Sequence, residues 1–266
     1  GSRPCLQVYR PETGSDAILN ITCRQFYRAL LLQARLLQTA HKLQAGDTIA
    51  ILADNSPGFL LLSFAAPMIG VRVLLLSTKV LPEHLQHFID RTACKLVFVS
   101  SACRELAETC NCPWADLDEN PALAETGDTA DAGLETGFEP APDDCALILH
   151  TSGTTTLPRL VYLQHRNILA NKMAVDAAVG RFWTGNDRWL LFLPLFHGYA
   201  LLSQFLRNCY IGARTVLLQQ SEPPAATALT HALEQTSVTF FCCVPWMLQL
   251  LYDQILAEQA KGSTST

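Results

Sequence analysis

Short apolar runs alternate with amphipathic stretches along most of the chain. The apolar runs have the length of buried strands, and the stretches between them repeat apolar residues at helical spacing. The pattern predicts strands at 48–52, 71–76, 96–99, 145–149, 160–163, 188–193, 213–218 and 238–243. It predicts helices at 82–92, 101–110, 167–179, 201–209, 225–236 and 246–260, in addition to two near the N-terminus that are described below. This order favours an α/β fold with layered, largely parallel sheets flanked by helices.

Residues typical of helix starts, and a change of composition at 111–144, indicate how the chain is divided into subdomains. Thr22-x-x-Gln25 is a capping box that predicts a first helix, and Ser56-Pro57 predicts the start of a second helix that Gly70 closes. Residues 111–144 break the alternation, are rich in Ala, Gly, Pro, Asp and Glu, and predict an acidic surface connection. The prediction is a first α/β subdomain at 1–110 and a strand pair with a second α/β subdomain at 145–266.

Composition limits the classes of function. The 266 residues are 49% hydrophobic and 16% charged, which is ample for a buried core. The formal net charge of −5 and the lack of a basic stripe argue against nucleic-acid binding. The longest apolar run, 59–71, is interrupted by Ser63 and Pro67 and is too short to span a membrane.

The cysteine pattern favours free thiols. Many of the ten cysteines lie in apolar strand-like or helical contexts, where cysteine behaves as a small hydrophobe. The C-x-C pair Cys110 and Cys112 lacks a second pair at zinc-binding spacing, and His84 with His87 fits a solvated helix face. We therefore expect no metal bound by the protein, no disulfide framework, and a reducing, cytoplasmic location.

A hydroxyl-rich loop carries the main chemical signal. It lies between two strand-like runs, and backbone N–H groups and hydroxyls in such a loop can surround phosphate oxygens. Arg159 adds a fixed positive charge. A plain polar hairpin is the alternative reading of the same residues. The candidate phosphate-binding residues are Thr151, Ser152, Gly153, Thr154, Thr155 and Arg159.

Several motifs in this order resemble the adenylate-forming, or AMP-binding, enzyme superfamily. The sequence TSGTT at 151–155, followed by Pro158 and a basic residue, is similar to its phosphate loop, and LPLFHG at 193–198 to its second core motif. Weaker matches at 46–50, 55–56, 70–71 and 244–245 extend the resemblance from about residue 22 to about residue 252. It implies one N-terminal adenylation domain, incomplete at its C-terminal side.

The resemblance implies a reaction and its participants. Members activate a carboxylic acid with ATP and Mg²⁺ as an acyl adenylate, and then transfer the acyl group to coenzyme A or to a carrier-protein phosphopantetheine. It also implies that His197 is catalytic and lines the pocket between nucleotide and acid, with a structural role for this strand-end histidine as the alternative. Trp246 is expected to form a wall of the acyl pocket, with core packing as the alternative. An apolar acid is the expected substrate, which suggests fatty acid metabolism.

Departures from the family pattern matter as well. The family loop continues with Gly-Lys-Pro-Lys-Gly, whereas this chain has Thr156, Leu157, Pro158, Arg159 and Leu160. A glycine position that requires positive φ would be strained by these residues. Later family motifs, including the aromatic–Thr–Glu motif and the C-terminal lysine, have no counterpart. We therefore expect an N-terminal fragment that is inactive alone and is completed by further residues or another chain. The alternatives are an incompetent adenylation-like binding module and a generic α/β domain.

Overall fold

A computed structural model describes residues 3–11, 18–118, 137–151, 158–219 and 225–263. The strands of this part are β1 (Pro4–Tyr9), β2 (Ile18–Thr22), β3 (Thr48–Leu52), β4 (Arg72–Leu76), β5 (Cys94–Val99), β6 (Trp114–Asp116), β7 (Cys145–His150), β8 (Leu160–Gln164), β9 (Arg188–Leu191), β10 (Arg214–Leu218) and β11 (Phe240–Phe241). Its α-helices are α1 (Cys23–Thr39), α2 (Pro57–Ala65), α3 (Pro82–Thr92), α4 (Arg104–Ala107), α5 (His165–Val179), α6 (Arg207–Ile211), α7 (Ala226–Thr236) and α8 (Pro245–Ser263). A π-helix, Tyr199–Leu206, leads directly into α6.

The strands form two sheets. The first has the order β11-β9-β10-β1-β2 and the second β6-β5-β3-β4-β7-β8. All neighbouring strands are parallel except the edge pairs β1–β2 and β7–β8. The prediction of layered, largely parallel sheets flanked by helices is therefore confirmed. Both sheets take strands from 1–110 and from 145–266, so neither sheet follows the predicted subdomain boundary, and that subdivision stays a prediction.

Two apolar clusters bury the second sheet from both faces. Alternate residues of β3, such as Ile49 and Ile51, face the larger cluster, which also contains α2 and strands of the first sheet. Ala50 and Leu52 face the smaller cluster, which contains apolar residues of α3 and α4. Because successive side chains of a strand point to opposite faces, continuous apolar runs are what such a strand requires.

Local signals explain where the helices begin. The Thr22 hydroxyl accepts a hydrogen bond from the Gln25 backbone N–H, and the Gln25 side chain accepts one from the Thr22 N–H, which confirms the capping box. Ser56 caps α2 through the Phe59 N–H at 3.1 Å. Gly70, at a φ of +74°, ends the turn that follows α2.

Several elements differ from the sequence pattern. β1 and β2 were not predicted, and β6 lies within the segment predicted to be a surface connection. The strand predicted at 238–243 is only β11, because the chain turns at Val244, whose carbonyl accepts the Met247 N–H at 2.9 Å. The helix predicted at 201–209 begins earlier, as the π-helix, and continues as α6.

Two further observations concern cysteines and membranes. All ten cysteines are free thiols. In the described ranges, no helix combines the length and the apolar character that crossing a bilayer requires.

Candidate functional site

The base of the hydroxyl loop is a tight antiparallel hairpin. The Thr151 N–H donates to the Arg159 carbonyl at 2.9 Å, and the Arg159 N–H donates to the Thr151 hydroxyl at 3.0 Å. Arg159 is exposed, and its guanidinium makes no ion pair with any described residue. The hairpin thus presents a positive charge at the base of the loop that no described residue pairs with. Ser152, Gly153, Thr154 and Thr155 lie outside the described residues.

The substitution of Leu160 for a family glycine introduces no backbone strain. Leu160 is the first residue of β8 and pairs with His150 across the hairpin. It is absent from the residues with positive φ, which among non-glycines of the described chain are Lys42, Ala93 and Ser237. The hairpin can therefore keep a regular register with leucine at this position. Thr156, the other replaced glycine position, lies outside the described residues.

His150 connects the hairpin to the wall of a neighbouring cavity. Its ring stacks on Phe196, with ring centroids 6.2 Å apart and planes 8° apart, and on Phe88 at 5.2 Å. Its Nε2 accepts the backbone N–H of Ser77 at 3.3 Å. Burial lowers the pKa of His150 and outweighs a hydrogen bond with the Thr151 backbone that raises it, so the imidazole is neutral at pH 7.

The cavity, of about 540 Å³, brings both sheets together. It is lined by residues that follow β4, by the segment 193–200 that follows β9, and by the start of α8. The predicted residues His197 and Trp246 both line it, and Trp246 is 51% exposed. This volume is within the range that holds a small molecule. The structure therefore brings these two predicted residues to one cavity, beside the hairpin that carries Thr151 and Arg159.

Partial burial sets the charge state of His197. Desolvation lowers its pKa, so its imidazole is neutral at pH 7 and can donate or accept a hydrogen bond. The ring of Phe196 packs against it at 4.3 Å between centroids. A neutral imidazole beside an apolar wall can donate a hydrogen bond to a carboxylate or phosphate oxygen, and it leaves the negative charge of that group in place.

The sequence reasoning missed other polar residues of the cavity. Ser77 and Lys79 line it, and Lys79 is the one charged side chain among the described lining residues. Tyr199 also lines it, and a hydrogen bond with Cys242, together with burial, raises the pKa of this phenol to about 12. The available signal for Ser77 and Lys79 was their position after a buried parallel strand, where ligand sites of α/β folds lie.

The residues around the cavity fit a nucleotide that brings its own cation. Within the described parts of the chain, no three His, Cys, Asp or Glu side chains are grouped to hold a metal ion. Magnesium commonly keeps several waters and binds through substrate phosphates with one or two carboxylates. The cavity offers hydroxyl, imidazole and ammonium groups, and the adjoining hairpin offers the Arg159 guanidinium. This set suits phosphate oxygens rather than a bare divalent cation.

Comparison with known proteins identifies the family. The family model described as AMP-binding enzyme matches residues 7–265. The chain belongs to the AMP-binding enzyme family. Among curated members, it is 31% identical over 229 residues to 2-succinylbenzoate–CoA ligase of Bacillus velezensis, covering 86% of this chain and 44% of that protein. It is 25% identical over 246 residues to oxalate–CoA ligase of Arabidopsis thaliana, covering 88% and 47%.

Two solved structures share this fold. O-succinylbenzoate coenzyme A synthetase (MenE) of Bacillus subtilis, in complex with AMP, matches with a TM-score of 0.76 and 25% identity, over 95% of this chain and 61% of that one. VinN matches with a TM-score of 0.79 at 18% identity, over 97% and 61%, which concerns the fold alone. The fold is thus that of the N-terminal domain of adenylate-forming enzymes, and the chain spans under half of the two curated relatives.

Proposed function

We propose that this chain is the nucleotide- and acid-binding part of an ATP-dependent adenylate-forming ligase. The ligase activates a carboxylic acid as an acyl adenylate, for transfer to the thiol of coenzyme A or of a carrier-protein phosphopantetheine. The observation that carries the proposal is the junction at His150, where the hairpin of Thr151 and Arg159 meets the wall of the cavity that contains His197.

The residues have distinct proposed roles. Thr151, Ser152, Gly153, Thr154 and Thr155 surround phosphate oxygens, and Arg159 supplies a permanent positive charge to them. ATP with Mg²⁺ provides the activated phosphate and the pyrophosphate leaving group.

In the cavity, His197 hydrogen-bonds the acid or the α-phosphate, and Trp246 forms part of the acyl wall. Positioning and charge stabilisation, rather than a protein nucleophile, then account for the catalysis.

The lining of the cavity supports an acid with an apolar body. Leu193, Phe196 and Trp246 contribute aliphatic and aromatic surface, which agrees with the predicted preference for an acyl substrate of the kind found in fatty acid metabolism. The ten free thiols agree with a reducing, cytoplasmic location.

An exposed apolar row on α8 supports a further contact for this part of the fold. Leu248, Tyr252 and Ile255 are between 48% and 57% exposed. Contiguous apolar surface of this kind marks an interaction site. We propose that further residues of the complete protein, or another chain, cover this row.

Nuclear magnetic resonance of the histidine rings tests whether hairpin and cavity form one site. Addition of ATP with Mg²⁺ is expected to move the imidazole signals of both His150 and His197 with one midpoint. The signal of His41, which packs on Phe98 in another part of the fold, is expected to stay in place. Unmoved signals of His150 and His197 at saturating nucleotide would remove the basis of the proposal.

A second candidate function, a binding module without turnover, is favoured by one specific observation. The loop lacks both lysines and both glycines of the family pattern at 156–160. Pyrophosphate release by the complete protein with ATP and a panel of acids separates the two candidates. Release that depends on the acid supports the ligase, whereas nucleotide binding without release supports the module.

A further inference from the structure

The Asn55 side chain, which follows β3, makes two hydrogen bonds to the backbone of the segment that follows β9. Its Nδ2 donates to the Leu193 carbonyl at 2.9 Å, and its Oδ1 accepts the Leu195 N–H at 2.9 Å. Asn55 is 3% exposed, and both leucines are buried. The side-chain amide therefore satisfies one backbone donor and one backbone acceptor of a buried irregular segment.

The two sides of this contact differ in rigidity. Asn55 lies between β3, which is buried along its whole length, and α2, whose first turn is capped by Ser56. The segment 192–198 has no regular ladder of hydrogen bonds after β9 ends at Leu191. The Asn55 amide is fixed by β3 and α2, and it forms hydrogen bonds with two residues of the irregular segment. These bonds therefore fix the position of the segment relative to β3 and α2.

The contact leads directly to His197. Pro194 lies between the two gripped residues, has no N–H of its own, and accepts the His197 N–H through its carbonyl at 3.1 Å. The His197 carbonyl in turn accepts the Ala200 N–H at 3.1 Å at the start of the π-helix. The position of the imidazole in the cavity therefore depends on the short turn from Pro194 to His197, and Asn55 binds the backbone where this turn begins.

We propose that Asn55 is a positioning residue that sets the place of His197 in the cavity. The part of this inference that concerns catalysis rests on the proposed function, because His197 faces the acid only under that proposal. The geometric part stands separately. In the sequence, Asn55 belongs only to a weak match to the family pattern at 55–56, which does not indicate the contact across the molecule to segment 193–195.

The substitution Asn55→Leu tests the inference, since leucine has a similar volume and no charge but makes neither hydrogen bond. The readout is the imidazole signal of His197, which the loss of one signal in His197→Gln assigns. In the wild-type chain we expect a titration midpoint below about 6.5, the ordinary histidine value, because of burial. In Asn55→Leu we expect a shifted signal and a midpoint that moves toward about 6.5.

Thr236→Val is the matched control. Thr236 is 6% exposed and donates its hydroxyl hydrogen to the Ala232 carbonyl within α7, so the change also removes a buried hydrogen bond without adding charge. It is expected to lower stability and leave the His197 signal in place. Asn55→Ser serves as a second variant if Asn55→Leu does not fold, with an intermediate shift expected.

The outcomes separate the two proposals. An unchanged His197 signal in folded Asn55→Leu or Asn55→Ser overturns the positioning role. A signal that moves equally in Thr236→Val overturns it as well, because the effect is then one of general stability. Calorimetry of the wild-type chain with ATP and Mg²⁺ reports on the proposed function independently. No binding there, together with a shifted His197 in the Asn55 variants, would refute the function and retain the positioning role.

Discussion

The substitution Asp176→Asn tests how α5 and α6 are held together. The side chain of Arg207 is 2% exposed, and its Nε donates to Asp176 Oδ1 at 3.0 Å. The guanidinium carbon of Arg207 lies 3.8 Å from the ring centroid of Trp183. Asp176 also pairs with Lys172 at 2.9 Å, one turn away on α5. Asparagine keeps the shape and an acceptor oxygen but leaves the buried guanidinium without its counter-charge.

The expected cost follows from burial. Arginine stays protonated, so removal of the carboxylate leaves a buried positive charge, which typically costs about 3–5 kcal/mol. Asp176 is 27% exposed, and asparagine retains one neutral hydrogen bond, so we expect a cost at or below the lower end of that range. The prediction is a loss of about 2–3 kcal/mol in the free energy of unfolding at pH 7. The melting temperature is expected to fall by roughly 4–10 °C.

The control is Asp143→Asn. Asp143 pairs with Arg166 at a comparable 2.9 Å, but these side chains are 69% and 59% exposed. Exposed pairs contribute about 0–1 kcal/mol, so this variant is expected to change stability little. Urea unfolding of both variants, monitored by circular dichroism, measures the difference. Equal losses in the two variants would refute the reasoning from burial.

The same pair predicts a dependence on pH. Hydrogen bonding from Lys172, and then the charges of Lys172 and Arg207, hold the pKa of Asp176 below its usual range. A lowered carboxyl pKa stabilises the fold above the unfolded value of about 3.9 and ceases to do so as pH falls through the folded value. The difference between wild type and Asp176→Asn is therefore expected to persist at pH 7 and to shrink below about pH 4.

Two further predictions test the fold and the junction at His150. Gly70→Ala adds a Cβ 2.7 Å from the Phe138 ring at a φ of +74°, so we expect a loss of about 2–4 kcal/mol by urea unfolding. Gly46→Ala, at a φ of +90° with open space around it, is expected to cost only about 1 kcal/mol, and equal costs would contradict the steric argument. Burial lowers the pKa of His150, so its neutral form stabilises the fold above about pH 6.5, and this contribution is lost as pH falls below that value. His150→Phe, which keeps an aromatic ring in the stack, is expected to lose less stability between pH 7 and pH 5 than the wild type, and an identical loss would contradict this.

Local chemistry made part of the fold predictable. The capping box at Thr22 and the helix Pro82–Thr92 follow from side-chain caps and proline positions that act within a few residues. β3 follows from a continuous apolar run of strand length. Such signals do not depend on the rest of the molecule, so they are readable from sequence.

Elements that depend on distant partners were harder to predict. β1 pairs with β10, which lies about two hundred residues further along the chain, so this partner cannot be inferred from the local sequence. β6 has three residues and is stabilised by pairing with β5 rather than by its own sequence. The π-helix adjoins the segment that carries His197, where tertiary packing outweighs the ordinary α-helical pattern.

Some residues of the candidate site were likewise predictable from local sequence, whereas others depend on distant contacts. His197 and Trp246 were predictable from motifs that resemble the family, and they do line one cavity. The roles of Asn55 and His150 were not predictable, because each acts through contacts with residues remote in sequence, Leu193 for Asn55 and Ser77 for His150. A single sequence reports residue types and spacing, whereas these contacts depend on how the two sheets pack together.

Titration calorimetry with ATP and Mg²⁺ tests the central claim most directly. We expect saturable binding of the nucleotide to the chain. Arg159→Ala should weaken it by about tenfold or more, because a charge-assisted hydrogen bond contributes about 1.5–3 kcal/mol. Arg166→Ala, which removes an exposed arginine already paired with Asp143, is the matched control and should change affinity by less than about twofold. Equal weakening by the two variants, or no binding to the wild-type chain, would contradict the account.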